Sequence, residues 1–302
     1  GVMRQFANGE ILASAIEHES VLAPASIFNA KIVPVTGQGM LDLSVLQKLI
    51  SDRTVLISVM MVNNELGTAQ PIKQISALVK TVRESRQNAK NRLPLYLHTD
   101  AAQAGNMYDL HTHRLGVDLM SINGGKIYGP KQSGALFVKT GVKIEPLIVG
   151  GGQEGNLRSG TENVAGAVGL SKALDLAQKI HAKEFKRLRE LRELFIKLLS
   201  EQVPDAKVNG SSKNQSPHLL HVTFQAQDNE RLMIRLDEAG IQAAVGSACS
   251  ASDTAPSHVL TAIGFNDELA RSSLRFSFGR QTKAADIKQT VQLLERFTSG
   301  NR

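Results

Sequence analysis

Residues 117–139, VDLMSINGGKIYGPKQSGALFVK, are the stretch that decides the fold. Two apolar runs, 117–122 and 134–138, flank a loop of Asn, Gly, Pro and Lys. Short apolar runs bounded by Gly and Pro predict buried strands. Asn123-Gly124-Gly125 permits a sharp turn, because glycine adopts backbone angles that other residues avoid. The turn therefore presents Lys126 at the mouth of the predicted sheet.

Two roles are open to Lys126. A lysine that loses water around its amine can also lose its charge, and the neutral amine can condense with a carbonyl cofactor. A solvated loop lysine is the more common case in proteins. The choice depends on what the rest of the chain supplies.

Strands and helices alternate along the first half of the chain. Apolar runs at 10–16, 54–62 and 95–98 predict strands, and the segments between them have helical spacing. This alternation predicts an α/β fold with a mostly parallel sheet. Four polar residues each follow a predicted strand: His18, Asn64, Asp100 and Lys126. Open α/β sheets bind ligands at that edge, so these residues predict a site.

The composition narrows the class of protein. The chain has 302 residues, 42% of them hydrophobic and 21% charged, which is typical of a globular protein. The net charge of +7 fits a cofactor phosphate but does not indicate nucleic-acid binding. A single cysteine excludes an internal disulfide framework and predicts a reducing, cytoplasmic location. No run has the length or the flanks of a membrane span or a signal peptide.

The second half of the chain begins with a glycine-rich loop, residues 146–161, in which Arg158 and Thr161 can bind a phosphate. A long basic helix is predicted from 165 to 202, and we place the domain boundary inside it, dividing the chain into 1–180 and 181–302. Beyond this helix the pattern predicts three strands and three helices. The strands are 218–224, 241–245 and 273–278, and the helices are 229–238, 256–263 and 284–297.

Cys249 lies in a loop of small residues, GSACSASD, at 246–253. A lone cysteine is most often a small buried hydrophobe. A polar, accessible loop instead favours a reactive thiolate that can carry sulfur from a substrate to an acceptor.

The other candidates also have two interpretations each. Asp100 can pair with a protonated pyridine nitrogen, with Gln103 reaching a ring oxygen, or it can cap a helix. His18 can stack on a flat cofactor or serve as a hydrogen-bonded structural residue. Arg275, inside an apolar strand, needs an anion, either a substrate carboxylate or an internal acidic side chain.

Taken together, seven motifs over nearly the whole chain resemble the cysteine desulfurases of the class V aminotransferases, which use pyridoxal phosphate on an aspartate-aminotransferase-like fold. That fold has a large domain with a mostly parallel sheet and a smaller α+β carboxyl-terminal domain. The motifs are EHESVL (17–22), VNNELGTAQPI (62–72), HTDAAQAGN (98–106), GGKIYGPKQSGALFV (124–138), GGGQEGNLRSGTEN (150–163), GSACSASD (246–253) and LRFSFGR (274–280).

The resemblance assigns cofactor roles to several residues. It implies that Lys126 holds the cofactor covalently and later acts as acid and base, and that His18 stacks on its ring and assists proton transfer. Asp100 would bind the pyridine nitrogen and Gln103 the phenolic oxygen. Asn64 would lie beside both cofactor and substrate.

The phosphate contacts depart from the family pattern. Thr161, from the second subunit of a homodimer, would touch the phosphate. The family usually has Ser and His where this chain has Asn123 and Gly125, and Gly155-Asn156 replaces a usual Arg-Gly. Its amino-terminal phosphate loop has no counterpart here. We expect a missing amino-terminal segment, and we expect these 302 residues to bind the cofactor weakly or not at all.

On the substrate side, the resemblance implies that Asn64 and Arg275 hold the carboxylate of L-cysteine while Cys249 attacks its sulfur. The extended cysteine loop resembles the housekeeping branch, which supplies sulfur to iron–sulfur scaffold or tRNA-thiolation proteins. Two alternatives stay open. One is a selenocysteine lyase or another enzyme of the same superfamily, and the other is a catalytically silent scaffold or regulatory homologue. No metal site is expected.

Overall fold

The central sheet has six strands in the order β2-β1-β3-β4-β5-β6. The computed structural model describes residues 1–246 and 256–299. Strands β1 to β5 pair in parallel, and β6 is antiparallel to β5. The six strands are β1 Glu10–Ser14, β2 Lys31–Val33, β3 Thr54–Ser58, β4 Tyr96–Asp100, β5 Leu119–Asn123 and β6 Gly134–Val138. The predicted α/β class with a mostly parallel sheet is confirmed.

A second sheet of three antiparallel strands follows in the order β7-β8-β9. Its strands are β7 Ala206–Asn209, β8 Leu219–Phe224 and β9 Ser273–Ser277. The described helices are α1 Val2–Gln5, α2 Glu19–Ser26, α3 Leu43–Leu49, α4 Ile72–Asn88, α5 Thr112–Leu115, α6 Val164–Gln202, α7 Asn229–Glu238, α8 His258–Ala262, α9 Asp267–Ala270 and α10 Ala284–Ser299. Among the described residues, none of these helices is long and apolar enough to cross a membrane.

The chain divides into two compact units, and the main division falls between Ile180 and His181, inside α6. The first unit contains the six-stranded sheet, and the second contains the three-stranded sheet. Two short earlier segments, Val35–Met40 and Asn63–Ala69, belong to the second unit. Asn64 is therefore part of the second unit although it follows a strand of the first.

The apolar run at 54–62 forms a shorter strand than its length predicts. β3 ends at Ser58, because beyond it the chain makes only isolated pairings with β4: Val59 N donates to His98 O and Met61 N to Asp100 O. Val55 and Ile57 on one face of the strand and Thr54 and Ser58 on the other are all buried, as expected for a strand covered on both faces.

Two local predictions are wrong. Residues 241–245 form no strand but only one bridge, between Ala244 and Arg275, and Gly246 follows with a φ of +56°. A proline is favoured at the first position of a helix, so the sequence also predicts a helix that opens with Pro71. That helix begins at Ile72, and Pro71 occupies the N-cap position. Strand β7 was not predicted, because its four residues, AKVN, are too few for the alternation to stand out.

Asp118 links the amino-terminal ends of β4 and β5 through a hydrogen bond and an ion pair. Its side chain is almost fully buried, and Oδ2 accepts a hydrogen bond from Leu97 N at 2.8 Å. The same oxygen pairs with the guanidinium of Arg83, which also donates to Leu95 O. Lys139 Nζ lies 3.7 Å from Oδ1 at the surface. One carboxylate thus joins two strands, a helix residue and the end of β6.

Asp118→Asn is expected to lower the free energy of unfolding by about 2 kcal/mol, because Arg83 loses its anion in a largely buried position. Lys139→Ala removes a mostly exposed partner of the same carboxylate and is expected to cost less than about 1 kcal/mol. Urea denaturation of the two variants beside the wild type measures both losses. Equal losses in the two variants would contradict this account of Asp118.

Candidate functional site

The carboxyl-terminal edge of the central sheet collects the candidate residues of the first unit. Strands β1, β3, β4 and β5 run parallel, so their carboxyl ends lie along one edge. His18 comes after β1 and Lys126 after β5. Asp100 was predicted to follow its strand, but it is the last residue of β4, where it pairs in register with Ser121.

The turn that carries Lys126 is a short 3-10 helix, Gly124–Lys126. Gly124 is required, since a Cβ there would lie 2.1 Å from Ser133 Oγ. The turn is held by a hydrogen bond of 2.8 Å from Asn106 Nδ2 to Lys126 O and by the buried side chain of Ile127. Both contacts fix the backbone and leave the side chain of Lys126 exposed.

The exposure of Lys126 corrects one expectation from the sequence. We expected the surrounding protein to remove water from the amine, but the described residues leave this side chain in solvent. Gly125 is also exposed, and a Cβ there would meet only Asn123 Oδ1, at 3.3 Å. The loop therefore has open space beside Lys126, bordered by the exposed Asn123.

Asp100 ends β4 and Gln103 lies in the turn that follows, and both are half-buried. Asp100 Oδ1 accepts a hydrogen bond of 2.8 Å from Ala102 N, so the capping contact considered for this residue is present. Residues 102–107 form turns instead of a helix. This contact uses one carboxylate oxygen and fixes the orientation of the side chain.

His18 is the N-cap of α2. Its Nδ1 accepts a hydrogen bond from Ser20 N at 3.1 Å and lies 2.9 Å from Ser20 Oγ. A ring that accepts through Nδ1 carries the proton of its neutral form on Nε2. The structural interpretation of His18 therefore holds, and the half-buried ring is held in one orientation.

A buried polar row was not predicted. Glu17 is fully buried; one oxygen of its carboxyl group accepts a hydrogen bond from Met60 N, and the other lies 3.0 Å from Ser58 Oγ. Ser58 Oγ also lies 2.8 Å from His98 Nδ1, and His98 Nε2 lies 2.9 Å from Ser121 Oγ. Single polar residues inside the apolar strands TVLIS, YLHTD and LMSIN were the available signal.

Burial dominates the electrostatics of this row. It raises the pKa of Glu17 to about 8, with the Asp100 charge acting in the same direction and the hydrogen bonds from Met60 and Ser58 opposing it. Burial lowers the pKa of His98 to about 4, against the opposing charge of Asp100. Both groups are therefore neutral at pH 7.

The second unit brings Asn64 and Arg275 together, as their shared predicted role requires. Arg275 Nη1 donates a hydrogen bond of 3.0 Å to the backbone oxygen of Asn64. Burial lowers the pKa of His218 to about 4 and of His221 to about 3, and the Arg275 charge acts in the same direction. Both imidazoles are neutral at pH 7, so they add no positive charge beside Arg275.

The glycine-rich loop is mostly exposed and includes the short 3-10 helix Glu154–Asn156. Arg158 Nη1 donates to the neighbouring Ser159 O, and Thr161 is exposed. Helix α6 begins only at Val164, so Thr161 lies in the loop and not at the first turn of the helix. The predicted nucleophile, Cys249, lies outside the described residues.

A cavity of about 730 Å³ opens at the opposite end of β4 and β5, near Tyr96 and Asp118. Its two most buried cations are already engaged, since Arg83 binds Asp118 and Arg86 donates to four backbone oxygens. We therefore interpret this cavity as part of the folded scaffold and not as a ligand site. In the described residues no group of three or more His, Cys, Asp or Glu side chains is arranged to hold a metal ion.

Comparison with known proteins agrees with this architecture. The profile of the family described as aminotransferase class-V matches residues 2–290. "Cysteine desulfurase IscS" of Dictyoglomus turgidum is 40% identical over 292 residues, which cover 95% of this chain and 71% of that protein. The similarity thus extends over almost the whole chain.

Two solved structures share the fold at lower identity. The NifS-like protein of Rickettsia africae superposes with a TM-score of 0.85 at 29% identity, covering 98% of this chain and 77% of that one. SspA in complex with cysteine gives a TM-score of 0.73 at 30% identity, over 92% and 76% of the two chains. The resemblance found in the seven motifs is confirmed, and the chain belongs to the class-V aminotransferase family and, within it, to the cysteine desulfurases.

Proposed function

We propose that the chain is a pyridoxal-phosphate-dependent cysteine desulfurase, which converts L-cysteine to L-alanine and leaves a persulfide on Cys249. The observation that carries the proposal is the shared sheet edge, where Lys126 follows β5 and Asp100 ends the neighbouring β4. An exposed amine on a fixed turn and an oriented carboxylate are the two groups that a pyridoxal cofactor requires.

The residues of this edge fit the cofactor. Lys126 offers an amine to its aldehyde, and the open space at Gly125 leaves room beside that amine. Asp100 offers a carboxylate to the pyridine nitrogen, and Gln103, from the same turn, offers an amide to the phenolic oxygen. His18 offers a ring of fixed orientation for stacking. Asn64, Asn123 and Thr161 supply further polar groups for cofactor contacts.

When bound, pyridoxal phosphate supplies an electron sink that makes the Cβ–S bond of cysteine labile. Lys126 then acts as acid and base, because its backbone is fixed while its amine is exposed. Asp100 keeps the proton of the pyridine nitrogen in place by its charge. The Cys249 thiolate attacks the substrate sulfur, so a new S–S bond forms as the Cβ–S bond breaks.

Arg275 and Asn64 provide the substrate carboxylate site in this proposal. The hydrogen bond from Arg275 Nη1 to Asn64 O holds the guanidinium beside Asn64. The neutral imidazoles of His218 and His221 make Arg275 the positive member of this group. A guanidinium binds a carboxylate through two parallel hydrogen bonds.

A homodimer is the proposed assembly. Large apolar side chains are exposed around the glycine-rich loop and the start of α6, where a second copy would cover them. They include Leu147, Val149, Val164 and Val168, which are 65%, 78%, 66% and 64% exposed. Thr161 lies within this surface, which supports a role in the site of the partner subunit.

The proposal also covers the domain division, the sulfur acceptor and the cellular compartment. Residues 1–180 form the cofactor-binding domain and 181–302 the smaller domain with the cysteine loop. The persulfide passes its sulfur to an iron–sulfur scaffold or a tRNA-thiolation protein. The nucleophilic thiol must stay reduced between turnovers, which a compartment such as the cytoplasm ensures and with which a chain of one cysteine is compatible.

Cys249→Ser is expected to lower alanine formation from cysteine by a factor on the order of 10³ or more, because the nucleophile is lost. The assay measures alanine and sulfide at saturating pyridoxal phosphate, and mass spectrometry checks residue 249 for one added sulfur atom. Ser250→Ala, a change at the next residue of the sequence, serves as the control and keeps its activity. Full activity in the Cys249 variant would refute the proposed sulfur transfer.

Arg275→Gln is expected to raise KM for cysteine by roughly 10- to 100-fold, because a charge-assisted pair of hydrogen bonds to the carboxylate is lost. Cysteamine, which lacks the carboxylate, provides the matched control: wild type and variant should process it equally. Steady-state kinetics with both thiols makes the comparison. An equal loss with cysteamine would show that Arg275 acts on the fold instead of on the substrate.

A further inference from the structure

The buried polar row consists of Glu17, Ser58, His98 and Ser121. It crosses the central sheet close to the carboxyl ends of the strands. Ser58 and His98 are register partners on β3 and β4, and Asp100 and Ser121 are register partners on β4 and β5. His98 and Asp100 are two residues apart and therefore share one face of β4. The row thus lies on the same face of the sheet as the carboxylate assigned to the pyridine nitrogen.

The contacts in the row form one continuous chain of hydrogen bonds. Glu17 Oε2 lies 3.0 Å from Ser58 Oγ, Ser58 Oγ lies 2.8 Å from His98 Nδ1, and His98 Nε2 lies 2.9 Å from Ser121 Oγ. The other carboxylate oxygen of Glu17 accepts from Met60 N. Each hydroxyl and ring nitrogen in such a chain must donate on one side and accept on the other.

This requirement leaves two self-consistent directions. If Glu17 is ionised, Ser58 donates to it, His98 donates to Ser58 through Nδ1–H, and Ser121 donates to His98 Nε2. If Glu17 carries a proton, it donates to Ser58, Ser58 donates to His98 Nδ1, and His98 donates to Ser121 through Nε2–H. The second state holds one more proton, and on ionisation that proton passes to solvent.

We propose that Glu17, Ser58, His98 and Ser121 form a proton-dependent hydrogen-bond relay, in which the proton on Glu17 sets the tautomer of His98 and keeps a second negative charge away from Asp100. These four are positioning residues for the candidate site. The relay is a property of the chain itself, and only its effect on Asp100 rests on the proposed function.

Geometry and electrostatics agree on the direction at neutral pH. Glu17 is fully buried and within reach of the Asp100 charge, and both effects favour its protonated form. Within the described part of the chain, His98 and Asp100, both on β4, are titratable groups close enough to act on it. His98 is held neutral by burial, so it must choose between its two tautomers.

The tautomer of His98 is measurable by NMR of the ¹⁵N-histidine-labelled chain without cofactor, from pH 6 to pH 9. Below pH 7, His98 is expected in the Nε2–H form. As Glu17 loses its proton near pH 8, His98 should convert to the Nδ1–H form. His98→Gln identifies the signal by its loss.

Two variants separate the relay from simple packing. In Glu17→Gln the amide can donate to Ser58 as the protonated acid does, so His98 should stay in the Nε2–H form at every pH. In Ser58→Ala the link is cut, and the tautomer of His98 should no longer change near pH 8. A wild-type His98 in the Nδ1–H form at pH 6, or one unchanged up to pH 9, would overturn the relay.

Stability provides a second readout. The folded-state pKa of Glu17 lies above its unfolded value, so its contribution to stability is complete below pH 4.5 and is lost as pH rises toward 8. The urea midpoint of the wild type should therefore fall relative to that of Glu17→Gln between pH 6.5 and pH 8.5. Parallel midpoints over this range would also overturn the relay. Neither readout requires pyridoxal phosphate or cysteine, so a failed relay is distinct from a failed desulfurase.

Discussion

The parallel register of β1, β3, β4 and β5 is the constraint on which the rest of the structure depends. Hydrogen bonds between neighbouring strands fix which residues reach the same edge, and a shift of one residue would turn each side chain to the other face. The register pairs Asp100 with Ser121 and Ser58 with His98. The candidate site and the polar row behind it are two consequences of the same pairing.

Burial keeps two titratable side chains near this edge uncharged. Glu17 and His98 are both buried and neutral at pH 7, while Asp100 is half-buried and oriented by Ala102 N. A buried charge without a partner is costly, so the row satisfies its polar groups with one another. In the proposed function, Asp100 is the carboxylate that binds the cofactor. In the second unit, burial likewise keeps the two histidines next to Arg275, His218 and His221, neutral.

Much of this architecture could be predicted from the sequence, because strand runs and glycine turns are local signals. Helix α7 has the predicted bounds, Asn229–Glu238, and Lys126 lies on a glycine turn after its strand. The bounds of β3 and the absent strand at 241–245 depend on partners far away in the chain. The exposure of Lys126 and the hydrogen bonds of Glu17 depend on packing, which the periodicity of a single sequence does not contain. The roles of the site residues stay predictions from resemblance.

The most direct test of the central claim is to identify which lysine binds the cofactor. The chain is incubated with saturating pyridoxal phosphate, reduced with borohydride and mapped by peptide mass spectrometry. Lys131, in the same exposed loop, is an internal control for non-specific labelling. The account predicts a pyridoxyl group on Lys126 and none on Lys131. A label on another lysine with none on Lys126 would contradict it.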